Sequence, residues 1–343
     1  MIADHEFSSL LKQVANGQAL DAESSAHAFG AIMSGKVSEA RIAAFLTALS
    51  VREATVEEII GAARAMRGAM RTINAPPEAI DLCGTGGDGH ATLNVSTAAS
   101  FVVAACGVPV AKHGNRNMSS RSGAADVLEA LGVCIDLPPP AAEICLADVG
   151  LCFLFAPSYH PAMKHVASVR KQLGFRTVFN LLGPICNPAG VRRQLIGVFS
   201  LEWGEPLARV LQALGTEKAW VVHGADGLDE MTTTAATDIV VLGGGEISNR
   251  RMVPEDLGLK RSTLSDLRGG APDENAMAIR ELLNARPGPF RDIVLLNSAA
   301  ALVVADKASD LRSGLELAAC AVDSGKANEI LRRFATTTQK LGA

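Results

Sequence analysis

The hydrophobic and polar positions divide the chain into a helical beginning and a longer part in which short strands alternate with helices. Up to about residue 73 the apolar residues follow the helical period, as at Phe29, Ile32 and Met33, and no strand is predicted. Thr55 and Glu58 have the spacing of a capping box, which predicts that a helix begins beside them.

From about residue 79 onward, short apolar runs alternate with helical segments, a pattern typical of a parallel sheet covered by helices. The predicted strands are residues 79–83, 108–111, 133–137, 151–155, 195–199, 219–222 and 239–242. Helices are predicted at 95–106 and 122–131, after Pro140, before Leu214, and in long Ala- and Leu-rich sequence from Asp273 onward.

We therefore predict an α/β protein in which a small all-helical domain is joined to a larger α/β domain with a mainly parallel central sheet. A chain of 343 residues, 48% of them hydrophobic, is long enough for two such domains. Residues 1–73 form the first, and we expect the helical, Gly- and Pro-rich residues at about 161–190 to pack back onto it. Residues 74–160 and 191–343 form the second.

Composition argues against several classes of function. The chain has 32 basic and 36 acidic residues and no basic run, so binding to nucleic acid or to an anionic membrane is not indicated. Seven cysteines without a C-x-x-C pair fit the reduced thiols of a cytosolic protein better than disulfides or a zinc site. No signal peptide or membrane-spanning run is recognised, so we expect a cytoplasmic protein.

Polar clusters follow three of the predicted strands, where ligands of parallel sheets bind. The first is a loop with four glycines at 84, 86, 87 and 89, after which Asn94, Ser96 and Thr97 stand at the start of a helix. Glycines allow a close approach of the backbone to a ligand, and the side chains and free amides of a helix start suit an anion. An ordinary glycine-rich turn is the other interpretation.

The second cluster, residues 112–123, combines cations, amides, hydroxyls and two glycines, which indicates anion binding, although a solvated charged loop has the same composition. His113 is the one histidine retained as a candidate, because it lies in this cationic segment. The third cluster ends in Asp229 and Glu230, which could hold Mg²⁺ together with substrate phosphates, with Ser96 as a further ligand. An exposed acidic turn is the alternative there.

These clusters, with others along the chain, resemble the anthranilate phosphoribosyltransferase family. The resemblance is carried by residues 84–88 (Gly-Thr-Gly-Gly-Asp), 94–97 (Asn-Val-Ser-Thr), 112–116 (Lys-His-Gly-Asn-Arg), 119–120 (Ser-Ser), 170–184, 187–188, 223–224 and 227–230 (Gly-Leu-Asp-Glu). It implies transfer of the phosphoribosyl group from 5-phosphoribosyl 1-diphosphate (PRPP) to the amine of anthranilate, in tryptophan biosynthesis. It also implies a magnesium-dependent homodimer with the active site at the hinge between a helical and an α/β domain.

The resemblance also implies roles for individual residues. PRPP would contact Gly84, Gly87, Asp88, Thr92, Asn94, Val95, Ser96, Thr97, Lys112, His113, Gly114, Asn115, Arg116, Asn117, Met118, Ser119, Ser120 and Ala124. Anthranilate would contact Gly84, Asn115 and Arg170, and two Mg²⁺ ions would be held by Ser96, Asp229 and Glu230. The sequence departs from the family pattern at Tyr159, where relatives often carry a second histidine, and at Ser168, where a proline is common; both departures concern the positioning of anthranilate.

Two alternatives remain at this point. A pyrimidine nucleoside phosphorylase has a related fold and reaction, but its loop is usually Lys-His-Ser-Thr-Gly-Gly, and residues 82–85 (Leu-Cys-Gly-Thr) remove the cation and the hydroxyl of that pattern here. A nucleic-acid-binding relative without catalysis would need a basic surface and a degraded anthranilate site, which the net charge of −4 and the presence of Asn115 and Arg170 oppose.

Overall fold

The computed structural model of the chain describes residues 2–116 and 122–342. Its first four helices are α1 (Ile2–Ala15), α2 (Ala22–Met33), α3 (Glu39–Arg52) and α4 (Val56–Gly68). Helix α4 begins with the predicted capping box, in which the Thr55 hydroxyl accepts from the Glu58 amide at 3.3 Å and the Glu58 carboxylate accepts from the Thr55 amide at 2.8 Å. The helical beginning of the chain is confirmed.

A seven-stranded sheet forms the centre of the remaining chain. Its strands are β1 (Ile80–Gly84), β2 (Val110–Gly114), β3 (Leu151–Phe155), β4 (Arg193–Gly197), β5 (Lys218–Gly224), β6 (Thr237–Gly243) and β7 (Glu246–Met252). They lie in the order β3-β2-β1-β4-β5-β6-β7. The first five are parallel to one another, whereas β6 and β7 are antiparallel, so the predicted mainly parallel sheet is confirmed.

Eleven further α-helices and four short 3₁₀ helices accompany the sheet in the described residues. The α-helices are α5 (Val95–Ala105), α6 (Ala124–Ala130), α7 (Pro139–Val149), α8 (Ala156–Tyr159), α9 (Lys164–Leu173), α10 (Phe179–Ile185), α11 (Gly204–Ala213), α12 (Pro272–Leu283), α13 (Pro289–Val304), α14 (Leu311–Asp323) and α15 (Lys326–Leu341). The 3₁₀ helices are Pro161–Met163, Leu201–Trp203, Pro254–Leu257 and Leu264–Leu267. None of the described helices is both long and apolar enough to cross a membrane.

The two faces of the sheet are buried in two separate hydrophobic cores, because successive side chains of a strand point to opposite faces. On β5, Trp220 and Val222 belong to the core shared with α5 and α12 to α15, whereas Ala219 and Val221 belong to the other core. That second core contains the buried residues of α1 to α4 together with those of α9 and α10. The ring centroids of Phe29 in α2 and Phe179 in α10 are 5.7 Å apart.

The strand prediction was wrong at residues 133–137, which form no strand in the structure. Val133, Ile135 and Leu137 are buried while their neighbours are more exposed, so an irregular segment on the core surface shows the two-residue period of a strand. Its backbone is bonded to side chains instead, since the Cys134 amide donates to the Thr338 hydroxyl at 3.1 Å.

Other strands differ from the prediction in their bounds. β4 begins and ends two residues earlier than the predicted strand 195–199, and β2 begins two residues later and ends three residues later than the predicted strand 108–111. β5 and β6 extend past both ends of the predicted strands 219–222 and 239–242. β7 was not predicted at all. It is a mostly exposed edge strand, and the sequence Glu-Ile-Ser-Asn-Arg-Arg-Met has no apolar alternation to reveal it.

Candidate active site

The candidate site lies where the parallel strands end. Gly84 at the end of β1 is paired with Gly197 at the end of β4, which is paired in turn with Val222 of β5. The three polar clusters predicted from the sequence begin at the ends of β1, β2 and β5. β2 lies next to β1, so the first two clusters begin beside each other, whereas β5 lies on the other side of β1 with β4 between them. This is the position where open α/β sheets bind their ligands.

The glycine-rich loop, residues 84–89, is held by contacts on both sides. The Thr85 amide donates to the Gly197 carbonyl at 2.9 Å, and the Gly86 amide donates to the Asp229 carboxylate at 2.7 Å. Gly86 and Gly87 have φ values of 68° and 76°, which favour glycine. At Gly84 a Cβ would collide with the Asp229 carboxylate, so this glycine is required by the close approach of the acidic segment.

The acidic pair, Asp229 and Glu230, is partly buried beside this loop and the start of α5. The Glu230 carboxylate accepts from the Ser96 amide at 3.3 Å. Burial raises the pKa of both Asp229 and Glu230 above their ordinary values, and repulsion raises it further, from Asp88 on Asp229 and from Asp229 on Glu230. Carboxylates that lie this close together without a matching number of cations favour a bound cation.

The donor set fits magnesium in one particular way. In the part of the chain that the structure describes, no group of three or more His, Cys, Asp or Glu residues is arranged to hold a metal by itself. Magnesium usually takes one or two carboxylates and completes its coordination with water and substrate phosphates. Asp229 and Glu230 supply such a pair, and the Ser96 hydroxyl lies beside them at the α5 start.

Lys112 contributes its charge from beneath the site. It is only 3% exposed, and its ammonium donates to the Leu82 carbonyl at 2.6 Å and to the Ser96 hydroxyl at 3.2 Å. The positive charge acts on the pKa of Glu230, which it lowers against the larger effect of burial. Lys112 therefore orients Ser96 and offsets part of the acidic charge.

His113 is part of a buried, neutral pair. Its Nε2 lies 3.2 Å from Nε2 of His160, and its Nδ1 lies 3.1 Å from the Gly183 carbonyl oxygen. Burial lowers the pKa of His113 to about 3 and that of His160 to about 4. Although His113 lies in a cationic sequence segment, it adds no positive charge near neutral pH.

The start of α5 differs from the expectation that side chains cap it. Asn94 is the N-cap residue, but its side chain makes no cap hydrogen bond. It donates to the Ser122 carbonyl at 3.2 Å and accepts from Asn275 at 2.8 Å. Of the first amides of α5, that of Val95 donates to the Leu93 carbonyl at 2.8 Å and that of Ser96 donates to the Glu230 carboxylate.

The remaining predicted PRPP contacts around α5 lie on both sides of Asn94. Val95 and Thr97 are buried in α5, and Thr92 is bridged to Arg268. The buried Thr97 hydroxyl has no hydrogen-bond partner among the described residues.

The segment that follows β2 is satisfied by its own neighbours. The Arg116 guanidinium donates to Glu129 at 2.7 Å and to Asp126 at 3.0 Å and lies 5.7 Å from the ring centroid of Phe155. The exposed Asn115 accepts from the Arg116 amide at 2.7 Å.

The other predicted contacts of this segment are Gly114, at the end of β2, and Ala124, at the start of α6. A Cβ on Gly114 would lie 3.3 Å from that of Ala124, so the two positions are close together. The predicted contacts Asn117, Met118, Ser119 and Ser120 lie outside the described residues.

Arg170 is a partly buried cation in the last turn of α9. Its guanidinium carbon lies 5.6 Å from the ring centroid of Phe179, and burial lowers its pKa. No carboxylate pairs with it among the described residues. A buried, unpaired guanidinium is suited to a carboxylate ligand, which it can hold by two parallel hydrogen bonds.

The side chains at the two departures from the family pattern are bonded to other groups. Tyr159 is buried in the core, where its hydroxyl donates to the Leu137 carbonyl at 3.0 Å. Ser168 is exposed on α9 and accepts from Gln172 at 2.9 Å.

Comparisons with known proteins agree with this arrangement. The helical bundle domain of a glycosyl transferase family matches residues 8–70, and the a/b domain of the same family matches residues 76–328. The anthranilate phosphoribosyltransferase of Rhodopseudomonas palustris strain HaA2 is 53% identical over 329 residues, 96% of this chain and 97% of that protein. The chain belongs to the anthranilate phosphoribosyltransferase family.

Solved structures of the anthranilate phosphoribosyltransferase family have the same fold. The crystal structure of the Thermus thermophilus enzyme has a TM-score of 0.91 at 44% identity and covers 96% of this chain and 99% of its own. The Saccharomyces cerevisiae enzyme in complex with PRPP and Mg has a TM-score of 0.90 at 28% identity, covering 97% and 98%. The yeast enzyme with 4-fluoroanthranilate has a TM-score of 0.87 at 27% identity, covering 97% and 99%.

Some residues of this anthranilate phosphoribosyltransferase family member were missed because their partners are distant in sequence. Asn297, fully buried in α13, accepts from the Met231 amide at 3.0 Å and donates to the Met231 carbonyl at 2.8 Å, next to Glu230. Gly197 leaves room for the Asp229 backbone, which a Cβ would overlap. An asparagine within an Ala- and Leu-rich helix was a visible signal for Asn297; Gly197 had none.

Proposed function

We propose that this chain transfers the phosphoribosyl group of PRPP to the amine of anthranilate, giving N-(5-phosphoribosyl)anthranilate and pyrophosphate. The observation that carries the proposal is the meeting of anion-binding amides and cation-binding carboxylates at one edge of the sheet. Gly86 and Ser96 each donate a backbone amide to a carboxylate of the acidic pair, which marks these amides as anion donors.

The diphosphate end of PRPP is assigned to the glycine-rich loop and the α5 start. Two magnesium ions, when bound by Ser96, Asp229 and Glu230, would supply positive charge to the leaving pyrophosphate. The chain itself provides the amides of the loop, the Ser96 amide at the α5 start and the buried ammonium of Lys112. The segment 112–120 and Ala124 are assigned to the rest of PRPP, as the family resemblance implies.

The acceptor is assigned to the side of the site that carries Arg170. The carboxylate of anthranilate pairs with the Arg170 guanidinium, and Asn115 and Gly84 contribute polar and close backbone contacts. As the C1–O bond to pyrophosphate breaks, the amine nitrogen forms its bond to C1 and then loses a proton. An aromatic amine is nucleophilic when neutral, so alignment and charge neutralisation carry most of the catalysis.

We further infer a two-domain organisation in which 161–190 belongs with the N-terminal helices. The shared buried core of α1 to α4 with α9 and α10 supports it. Since Arg170 lies on α9 and the acidic pair follows β5, the acceptor and donor groups then come from different domains, and the reaction takes place between them.

We also infer a cytoplasmic homodimer. Seven free cysteines, three of them buried, support a reducing compartment. The dimer is inferred from the family resemblance alone, and light scattering of the purified chain tests it directly.

The activity is tested by mixing the chain with anthranilate, PRPP and MgCl₂ and following the loss of anthranilate fluorescence. Loss should require all three components and should match the pyrophosphate released. Omission of PRPP is the control for photobleaching and for binding without reaction. Persistent fluorescence, with phosphorolysis of a pyrimidine nucleoside or binding to nucleic acid instead, would contradict the proposal.

A further inference from the structure

Arg176 lies in the connection between α9 and α10, and its guanidinium reaches the glycine-rich loop. Its Nη2 donates to the carbonyl oxygen of Gly87, 89 residues away in sequence. No function is predicted for Arg176 from the sequence, because Gly174 and Phe175 before it indicate only that a helix ends there.

The guanidinium is also stacked on an aromatic ring. Its central carbon lies 4.1 Å from the ring centroid of Phe199, within the range of a favourable cation–π contact. The Phe199 amide in turn donates to the hydroxyl of Thr85 at 3.1 Å. Thr85, Phe199, Arg176 and Gly87 therefore form a closed ring of contacts around one side of the loop, which we call the Arg176 ring.

The backbone of Arg176 faces the helical part of the chain. Its carbonyl oxygen lies 3.4 Å from the hydroxyl of Ser50 on α3, and the next amide, that of Thr177, donates to Asn180 on α10 at 3.0 Å. One residue thus contacts the helical part through its backbone and the glycine-rich loop through its side chain.

The Gly87 contact decides which way a peptide of the loop faces. A carbonyl oxygen carries partial negative charge, and in a trans peptide the next amide points in the opposite direction. When Arg176 binds the Gly87 carbonyl oxygen, this oxygen points toward Arg176 and away from an anion that approaches the other side of the peptide. Gly87 has a φ of 76°, so the loop depends on such contacts rather than on the backbone preference of an ordinary residue.

We propose that Arg176 is a positioning residue that holds the glycine-rich loop in the conformation that receives the diphosphate of PRPP. The proposal rests on the proposed function for the identity of the ligand. Both the charge and the planar fork of the guanidinium are needed, because a lysine ammonium cannot stack on Phe199 while holding the Gly87 oxygen.

The test compares Arg176→Ala, Arg176→Lys, Phe199→Leu and the double variant Arg176→Ala/Phe199→Leu. Arg176→Ala should raise the KM for PRPP about tenfold, as expected for loss of one hydrogen bond to a charged group, with little change in the KM for anthranilate. Arg176→Lys should recover only part of this loss. The double variant should lose less than the product of the two single losses, because both act through the Arg176 ring.

Lys171→Ala is the matched control, since Lys171 is an exposed cation in the last turn of α9, five residues before Arg176. It should leave both KM values unchanged. An equal effect of Lys171→Ala, full recovery by Arg176→Lys, or independent effects of Arg176→Ala and Phe199→Leu would overturn the proposal.

Hydrogen exchange of the ligand-free chain provides a readout that does not depend on activity. Peptides containing residues 84–89 should exchange faster in Arg176→Ala than in the wild type or in Lys171→Ala, while peptides from β5 should not change. If the wild type transfers no phosphoribosyl group, the proposed function fails, yet this exchange comparison still decides the role of Arg176. An active wild type with unchanged exchange in Arg176→Ala would overturn the role of Arg176 alone.

Discussion

The segments that follow β1 and β2 make an instructive comparison, because both end parallel strands at the same edge and both have the sequence of an anion site. The glycine-rich loop lies against a partly buried acidic pair whose charges repel each other. The segment 112–116 is already satisfied: Lys112 is buried on backbone and Ser96 oxygens, His113 is neutral, and Arg116 is paired with Glu129. Equivalent positions on a sheet therefore need not have equivalent electrostatics.

This difference suggests how work is divided between the two segments. Charge that is unpaired in the free protein is available to a ligand, whereas charge that is already paired must first give up its partner. We expect substitutions in the acidic pair to have large effects on turnover and substitutions in the satisfied segment to have small ones.

The largest effect is expected from Asp229→Asn combined with Glu230→Gln. Turnover should fall by about 100-fold or more, because both carboxylates for the metal are lost. Thermal stability without metal should stay equal or rise, since two partly buried, mutually repelling charges are removed. Initial rates over a Mg²⁺ titration and thermal unfolding measure the two effects.

Asp238→Asn is a suitable control for the acidic pair, because Asp238 pairs with Arg251 on the antiparallel strands. It should leave the magnesium titration unchanged. If the Asp229 and Glu230 variants also titrate normally, they are not the metal ligands.

The next effect is expected from Arg170→Ala. The KM for anthranilate should rise by about 10- to 100-fold, as expected for loss of a charge-assisted pair, while the KM for PRPP changes little. Steady-state kinetics with each substrate varied in turn provides the measurement. An equal rise in both KM values would mean that Arg170 supports the fold of the site rather than the acceptor.

The histidine pair gives a pH dependence of stability. Its members have pKa values of about 3 and about 4 in the folded protein, below the ordinary value of 6.5. Below pH 6.5 these two histidines therefore bind more protons in the unfolded chain than in the folded one, so their contribution to stability falls as the pH falls. The pair alone should account for a loss of about 1 kcal/mol or more between pH 6.5 and 5, which the raised pKa values of Asp229 and Glu230 oppose in the wild type.

His160→Asn tests this dependence, because it removes one ring while His113 stays in place. Lys112 also lowers the pKa of His113. The buried Asp81 accepts from the His113 amide at 3.1 Å, and its raised pKa gives it a contribution to the pH dependence of stability that is opposite in sign to that of the histidines. The difference between wild type and variant isolates the ring. Urea unfolding at several pH values should show a shallower acid loss in His160→Asn; parallel curves would contradict the assignment.

Sequence patterns predicted those parts of the molecule that depend on local order. The apolar strands and the polar residues after them are adjacent in sequence, so the edge that carries the site could be located, and the family motifs led to the correct family. The two-residue period wrongly predicted a strand at 133–137, where Val133, Ile135 and Leu137 are buried without a partner strand. The opposite error occurred at β7, which is a strand although its sequence lacks such a period.

What could not be predicted depends on contacts between distant residues. The Asn297 contacts to Met231 and the Arg176 contact to Gly87 join residues 66 and 89 positions apart. The charge state of the cationic segment is of the same kind, since neutral His113 and paired Arg116 follow from burial and from partners on other elements. Residue types alone suggested a more positive segment than the fold produces.

The smallest effect is expected from Glu129→Gln, which sharpens the comparison between the two segments. Glu129 holds Arg116 by two contacts and is 43% exposed. Removing its charge leaves Arg116 paired with Asp126 alone and more available to PRPP, so the KM for PRPP should fall by about 2- to 5-fold, the range expected for an exposed ion pair. Glu205→Gln, which releases Arg209 on α11, is the control and should change nothing. A higher KM in Glu129→Gln would show instead that the Arg116–Glu129 pair holds the segment in its binding conformation. Arg116 would then stay paired with Glu129 when PRPP is bound.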